Sequence, residues 1–313
     1  MKVLQSLSDI SKEFEDVPDI GLTIGNFDGV HSGHQELLAK IKNDCKQKNQ
    51  KFVVVTFIPH PQKILQPDRT RFLINSYQQR RVLLEKSGVD ILIELGFTRD
   101  FSTLGAESFL EKYLLIYPNL KTFYLGYDFA FGANKEGDHD SVKAMCEPKG
   151  IKVEIQPKFE FEDRIVSSSL IRELLALGKI EEVGSILKRP YHLEGVVVKG
   201  QGRGKKIGFP TANVQVGEDL IIPSKGVYVT RTIYKGMTYQ SITNIGNNPT
   251  FNEGDELHVE TNLFDFDLDI YGEKIDIEFL HKIRNEKKFS TVNELIAQIK
   301  SDVEVAKKYQ ADA

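Results

Sequence analysis

The chain has 313 residues, long for a single core and suggestive of two domains, with 41 basic residues against 45 acidic ones and a formal charge of −4. Mixed charge of this kind argues against a dedicated nucleic-acid binder, which needs a basic face to displace counterions. The two cysteines, Cys45 and Cys146, sit in no paired motif and read as buried or free thiols of a reducing cytosol; no apolar stretch reaches the length of a membrane span or a leader peptide, so a soluble cytoplasmic protein is expected.

Residues 20–24 read as a short buried strand, and 35–45 carry Leu37, Leu38, Ile41 and Cys45 at helical spacing. Between them lies Gly-Asn-Phe-Asp-Gly-Val-His-Ser-Gly-His, residues 25–34, a turn that opens a helix. A helix N-terminus presents unpaired N–H groups and a positive dipole end, which suits an anion. His31 and His34, three apart in the first turn, share a face and can converge on one phosphoryl group, with Gly33 leaving room for its approach. An imidazole donor there would stabilise charge building up on a transferring phosphorus. The same pair could instead be a plain surface turn or two metal ligands. Neither cysteine lies close in sequence and no Glu-x-x-His or His-x-x-x-His accompanies them, which counts against metal.

Further strands are expected over 52–57, 91–95 and 122–125 and helices over 78–86 and 106–115. That alternation predicts a doubly wound, mostly parallel sheet with ligands at the carboxyl ends of its strands. One such end is Phe57-Ile-Pro-His-Pro, where prolines stop the strand and His60 reads as a turn residue. Another is Gly126-Tyr-Asp-Phe-Ala-Phe-Gly, whose Phe129 and Phe131 would by themselves be read as core. Residues 166–172, Val-Ser-Ser-Ser-Leu-Ile-Arg, then open a helix that ends near Leu177, before Gly178 as its C′ glycine. Ser168 and Ser169 are caps on the simplest reading. A serine cap and an anion site share one geometry, however, and Arg172 adds a bidentate phosphate donor one turn further in.

A short helix is expected over 180–187, with a domain boundary near 178–190. Beyond it, β-rich runs at 193–198, 226–234, 238–245, 258–263 and 274–280 suggest a small antiparallel barrel, with an amphipathic helix from 292 to about 308 packed on it. Residues 199–213, Lys-Gly-Gln-Gly-Arg-Gly-Lys-Lys-Ile-Gly-Phe-Pro-Thr-Ala-Asn, are not a dinucleotide fingerprint, because the third glycine falls one residue early and Pro210 denies the required helix. As a charge run alone this segment would be a solvated loop.

The decapeptide at 25–34 following a first strand resembles the signature of the nucleotidyltransferase superfamily, in the form carried by prokaryotic FAD synthetases that are also riboflavin kinases. Gly-Phe-Pro-Thr-Ala-Asn at 208–213, Asn-Ile-Gly-Asn-Asn-Pro-Thr-Phe at 244–251, the strand holding Glu260, and 280–289 resemble the kinase half, so the likeness covers nearly the whole chain. It implies an α/β protein: a doubly wound, Rossmann-like nucleotidyltransferase domain over 1–185 and a small antiparallel β-barrel riboflavin kinase domain over 186–313. The barrel would phosphorylate riboflavin to FMN with ATP, and the first domain would adenylylate FMN to FAD with release of pyrophosphate. Flavin is then substrate and product, and neither nucleic acid nor membrane is an expected partner.

By the same resemblance, His31 and His34 are catalytic in adenylylation, and Gly25, Phe27, Asp28, Asp128, Ser168, Ser169 and Arg172 contact its ATP. Phe57, Phe129, Phe131 and Arg284 are expected at the flavin. Gly200, Lys205, Gly208, Pro210, Thr211 and Asn213 would form the kinase's ATP site, with Thr211 and Asn213 also holding Mg²⁺ and Glu260 as the base for the ribityl 5′-hydroxyl. The chain departs from the family's pattern in two places. A serine closes the run 167–169 where threonine is usual, which keeps the hydroxyl, and Lys205 replaces an arginine, which keeps the charge but loses the planar fork. The second departure leaves a monofunctional FMN adenylyltransferase, with a flavin-binding but weakly active barrel, as the alternative.

Overall fold

Runs rich in valine, isoleucine and aromatics build a six-stranded sheet from β1 (Lys2–Leu4), β2 (Ile20–Ile24), β3 (Lys51–Ile58), β4 (Ile91–Gly96), β5 (Leu120–Leu125) and β6 (Lys152–Ile155). All pairs are parallel, in the order β1-β4-β3-β2-β5-β6. This is a computed structural model; it describes every residue except 6–16, 128, 134–135, 162–163, 201, 203, 205–206, 248–256 and 312–313, so Asp128, Lys205 and the end of the 244–251 motif lie outside the described residues. From β2 the chain advances through β3 and β4 on one side and through β5 and β6 on the other, so the order reverses at β2. A crevice opens at such a reversal, beyond the carboxyl ends of the strands.

The central strands are buried on both faces, as crossover helices demand. On one face α1 (Ser32–Gln47) and α3 (Tyr77–Lys86), the latter preceded by a short α2 (Pro61–Leu65), bring Leu38, Ile41, Cys45 and Leu84 onto Phe52, Val54 and Leu92. On the other, α4 (Ala106–Phe109) and α5 (His139–Cys146) bring Phe109, Val142 and Cys146 onto Val53, Val55 and Phe123. Both cysteines are free and buried, and burial pushes each thiol up to about 11. The helix expected over 106–115 is α-helical only in its first turn; it continues as a π turn, Leu110–Leu114, with the Leu115 N–H donating to the Leu110 carbonyl at 2.8 Å. The wider turn keeps Leu110 and Leu114 both in the core. A small hairpin, β7 (Glu160–Phe161) and β8 (Arg164–Ile165), follows.

The barrel consists of β9 (Tyr191–Val198), β10 (Ala212–Val216), β11 (Gly226–Tyr234), β12 (Met237–Asn247), β13 (Leu257–Leu263) and β14 (Lys274–Arg284), closed in the order β10-β13-β12-β11-β14-β9. Five of these strands were expected. The sixth, β10, begins in the last two residues of the motif at 199–213, runs on to Val216 and closes the barrel by pairing with both β9 and β13, leaving no open edge. Inside, the buried hydroxyls of Thr230, Thr232, Ser241, Thr243 and Thr261 bond to one another, with Thr230 2.8 Å from both Ser241 and Thr243. α8 (Val292–Ala311) lays Ala306 against Val227, Val229 and Ile242.

Two further helices, α6 (Ser168–Leu177) and α7 (Ile180–Leu187), precede the barrel. Gly178 ends α6 at φ +73°, its N–H donating to Leu175 and that of Lys179 to Leu174, the C′ glycine that was expected. The apolar face of α7, Ile180, Val183, Ile186 and Leu187, is buried on the side where it meets β9 and β14. The chain therefore divides into compact units at Ser167, ahead of the 185/186 boundary expected from sequence: Met1–Thr70 with Ser76–Ser167, and Arg71–Asn75 with Ser168–Ala313.

Candidate active sites

The loop leaving β2 is strained. Phe27 and Val30 have φ of +48° and +39°, left-handed values that side-chain-bearing residues seldom adopt, on either side of Gly29 at +85°. Phe27, Asp28 and Val30 are all buried, so the chain folds under itself and delivers His31 as the N-cap of α1. His31 Nδ1 accepts the His34 N–H at 3.3 Å, which places the proton of the neutral ring on Nε2. The two imidazoles stack with centroids 3.7 Å apart, and Phe27 leans on His34 at 5.1 Å. A Cβ at Gly33 would lie 3.3 Å from His31 Nδ1, so the position has little room for a side chain. The structure thus brings together Phe27, Asp28, His31 and His34 at the reversal point of the sheet, with Gly25 donating its N–H to Val55 at 3.1 Å.

His34 Nδ1 is buried without a hydrogen-bond partner among the described residues. Burial first, and repulsion from His31 second, hold the His34 pKa well below the ordinary imidazole value, so the ring is neutral at pH 7. The unfolded chain protonates this residue near the ordinary imidazole value of about 6.5 and the folded chain does not, so stability should fall as pH drops below that value. Urea midpoints at pH 7 and pH 5 should therefore separate more for the parent than for His34→Gln. Equal separation would show that His34 takes up its proton normally in the folded protein.

One residue that the sequence reading passed over organises this site. Arg80, buried on α3, donates Nη1 to the Asn26 carbonyl at 3.0 Å and Nη2 to the Phe57 carbonyl at 3.1 Å, tying together the carboxyl ends of β2 and β3. Glu94 at the end of β4 balances it at 3.9 Å while taking Arg81 Nε at 2.9 Å. The available signal was a cation four residues before Leu84, the other buried position of α3. His60 is the turn residue it was read as: it caps α2, its Nδ1 accepting the Gln62 N–H at 3.1 Å.

At the end of β5, Phe131 is in the core against Phe109, and the half-buried Phe129 stacks on it at 5.0 Å. Phe57 is half-buried beside Phe97 and Phe101. Ser168 and Ser169 form the first turn of α6, in the second unit, where Arg172 Nε donates to the Phe72 carbonyl at 2.6 Å.

A second site lies on the barrel. The ladders make Asn213 on β10 and Asn244 on β12 the cross-strand partners of Glu260 on β13, one on each side. Such partners have Cβ atoms about 5 Å apart on one face. Val259 and Thr261, the neighbours of Glu260, are buried within the barrel, so alternation turns this row outward. It faces a cleft of about 740 Å³, also lined by Lys199, Gly200, Gly204 and Thr211 and well within the size range of small-molecule sites. A Cβ at Gly200 would lie 2.0 Å from Asn213 Nδ2, and one at Gly204 would lie 2.3 Å from the Phe209 carbonyl, so these two glycines rest directly on the Phe-Pro-Thr-Ala-Asn run. Asn262, two residues beyond Glu260, donates Nδ2 to the Pro210 carbonyl and holds that run from the other side. The sequence reading did not single it out. Gly208 turns at φ +84°.

Arg284, expected at the flavin, is engaged within the barrel unit. Its Nε and Nη2 donate to the buried Asp302 carboxylate at 2.8–3.1 Å and its Nη1 to the Asn285 carbonyl at 3.0 Å, so the guanidinium fastens α8 to the end of β14. Among the described residues no group of three histidine, cysteine, aspartate or glutamate side chains could hold a metal ion.

Residues 14–170 match the family described as FAD synthetase, and 187–310 match the family described as riboflavin kinase. Proteins named bifunctional riboflavin kinase/FMN adenylyltransferase are similar along nearly the whole chain. That of Haemophilus influenzae is 36% identical over 289 residues, covering 92% of this chain and 93% of its own. That of Bacillus subtilis is 34% identical over 291 residues, 92% of each, and that of Escherichia coli K12 is 32% identical over 312 residues, 99% and 98%. A crystal structure titled as a macrolide-efflux protein from Streptococcus pneumoniae aligns with a TM-score of 0.86 at 32% identity, over 98% of this chain and 99% of that one. Among the described residues no helix is long and apolar enough to cross a membrane.

Proposed function

This chain belongs to the family of bifunctional riboflavin kinase/FMN adenylyltransferases, and from that premise we propose which of its residues carry each reaction. The protein phosphorylates riboflavin to FMN and adenylylates FMN to FAD, with ATP as co-substrate in both steps. The assignment rests chiefly on one observation, the row Asn213, Glu260 and Asn244 facing a cleft roofed by glycines.

In the kinase half, Glu260 accepts the proton of the ribityl 5′-hydroxyl as that oxygen attacks the γ-phosphorus of ATP, and ADP leaves. Gly200, Gly204 and Gly208 let the backbone lie close over the phosphates, with Pro210 and Lys205 in the same motif. The Thr211 hydroxyl and the Asn213 carbonyl are hard oxygen donors under a roof that has no space for a Cβ, and these two residues would hold Mg²⁺. When bound, that ion supplies neutralisation of phosphate charge.

In the adenylyltransferase half, an FMN phosphate oxygen attacks the α-phosphorus of ATP and pyrophosphate leaves. The N–H groups opening α1 and the ring N–H groups of His31 and His34 donate to the phosphate under attack, while Gly25, Phe27 and Asp28 shape its surroundings. Asp128 is a further ATP contact, and Phe57 and Phe129 face the flavin. The protein works in the cytoplasm without a nucleic-acid partner.

Incubating the protein with riboflavin, ATP and Mg²⁺ and separating the flavins should yield FAD, and chelating Mg²⁺ should stop both steps. Failure to make FMN from riboflavin, with FMN still converted to FAD, would reduce the barrel to a flavin-binding module. Gly204→Ala places a methyl against the Phe209 carbonyl and should lower riboflavin phosphorylation by about ten-fold or more, an expectation set by the closeness of that contact. Conversion of supplied FMN to FAD should be untouched; equal loss in both assays would mean a general folding defect.

A further inference from the structure

One residue lining the barrel cleft comes from far upstream in the chain. Arg71–Asn75 lies in sequence between α2 and α3 but packs with the second unit. Its backbone is pinned there: the N–H of Arg71 donates to Glu218 at 3.2 Å, those of Phe72 and Leu73 to Asp219 at 2.8 Å, and that of Ile221 to Leu73 at 2.9 Å. Leu73 and Leu220 form a parallel bridge, Phe72, Leu73 and Ile74 are buried, and Arg172 holds the Phe72 carbonyl. Arg71 itself adopts φ +52°, a strained value for a residue with a side chain.

This anchoring sets the Arg71 side chain in the wall of the cleft that contains Gly200, Asn213 and Glu260. Its Nη1 is buried, with no hydrogen-bond partner among the described residues, and the guanidinium forms no ion pair with any described carboxylate. A buried guanidinium N–H without an acceptor destabilises the protein unless a ligand supplies one. The planar fork matches phosphate oxygens, and phosphate is the group that this cleft transfers.

We propose that Arg71 is a phosphate-binding residue of the riboflavin kinase cleft, donating to phosphate oxygens of the nucleotide or of the newly formed FMN. The proposal rests on the kinase reading of the barrel. Arg71 lies outside the 187–310 match, so the kinase site of this chain is completed by a residue that the barrel sequence does not contain.

The test is steady-state riboflavin phosphorylation by the full-length parent, Arg71→Ala, Arg71→Gln and Arg71→Lys, with ATP varied and with FMN added as product inhibitor. Loss of a charge-assisted phosphate contact should weaken the affected ligand roughly ten- to hundred-fold in the alanine and glutamine variants. A raised KM for ATP identifies the nucleotide phosphate, and a raised inhibition constant for FMN identifies the flavin phosphate. Lysine should recover part of the loss, conversion of supplied FMN to FAD should stay at the parent rate, and the thermal midpoint should not fall. Unchanged constants for both ligands, or a lowered thermal midpoint and kcat with both constants unchanged, would overturn the assignment. A parent that makes no FMN would overturn the kinase reading and this inference together, whereas a parent that makes FMN and is matched by Arg71→Ala would overturn the inference alone.

Discussion

Changing His31 or His34 to alanine should lower FMN adenylylation about a hundred- to thousand-fold, the typical worth of one donor at developing charge, and leave riboflavin phosphorylation at the parent rate. Both rings sit at the start of α1 with centroids 3.7 Å apart, so the pair can donate to one phosphate, and on the proposed assignment the kinase reaction does not use them. His31 has a second role as the helix N-cap, and removing a cap costs about 1 kcal/mol by itself. His31→Asn separates the two roles, because asparagine caps well but lacks the Nε2 donor. The asparagine variant should recover the stability lost by alanine and remain inactive in adenylylation. Recovery of activity together with stability would make His31 a capping residue only, and FAD formation at the parent rate by His34→Ala would remove that ring from the mechanism.

Glu260→Gln should lower FMN formation by about a hundred- to ten-thousand-fold, the span associated with a positioned general base. Glutamine keeps the side-chain shape between Asn213 and Asn244 and still accepts hydrogen bonds, so the variant isolates proton acceptance from packing. KM for ATP should change little, and FMN supplied from outside should be converted to FAD as in the parent. Kinase turnover at the parent rate would pass the proton to another group or to water. A large rise in KM for riboflavin with kcat preserved would make Glu260 a binding residue.

The second prediction depends on pairing that no local pattern announces. Glu260, Asn213 and Asn244 lie on three strands, and β10, which carries Asn213, is only five residues long and begins at the end of a glycine-rich and charged motif that gives no strand signal. The strand exists because an open barrel would leave the edges of β9 and β13 unpaired. Edge strands β1 and β6 were missed for a related reason: β1 is three residues long and β6 has an exposed, uneven face, so neither shows the apolar run of a central strand.

Where a signal is local, the sequence alone determined the outcome. The 25–34 turn opens α1 and is capped by His31, Gly178 ends α6, the helix at 180–187 forms, and five barrel strands lie where β-rich runs and turns put them. Propensity, periodicity and capping act between residues a few positions apart and are written in consecutive letters. Partners decided by long-range pairing were not legible. Arg80 reaches the carbonyls of Asn26 and Phe57, Arg284 turns to Asp302 on α8, and α6, α7 and Arg71–Asn75 join the barrel unit. Each of these depends on which surfaces meet once the sheet and the barrel have closed, and a charged residue looks the same in sequence whether it ends in solvent, in an ion pair or in the wall of a cleft.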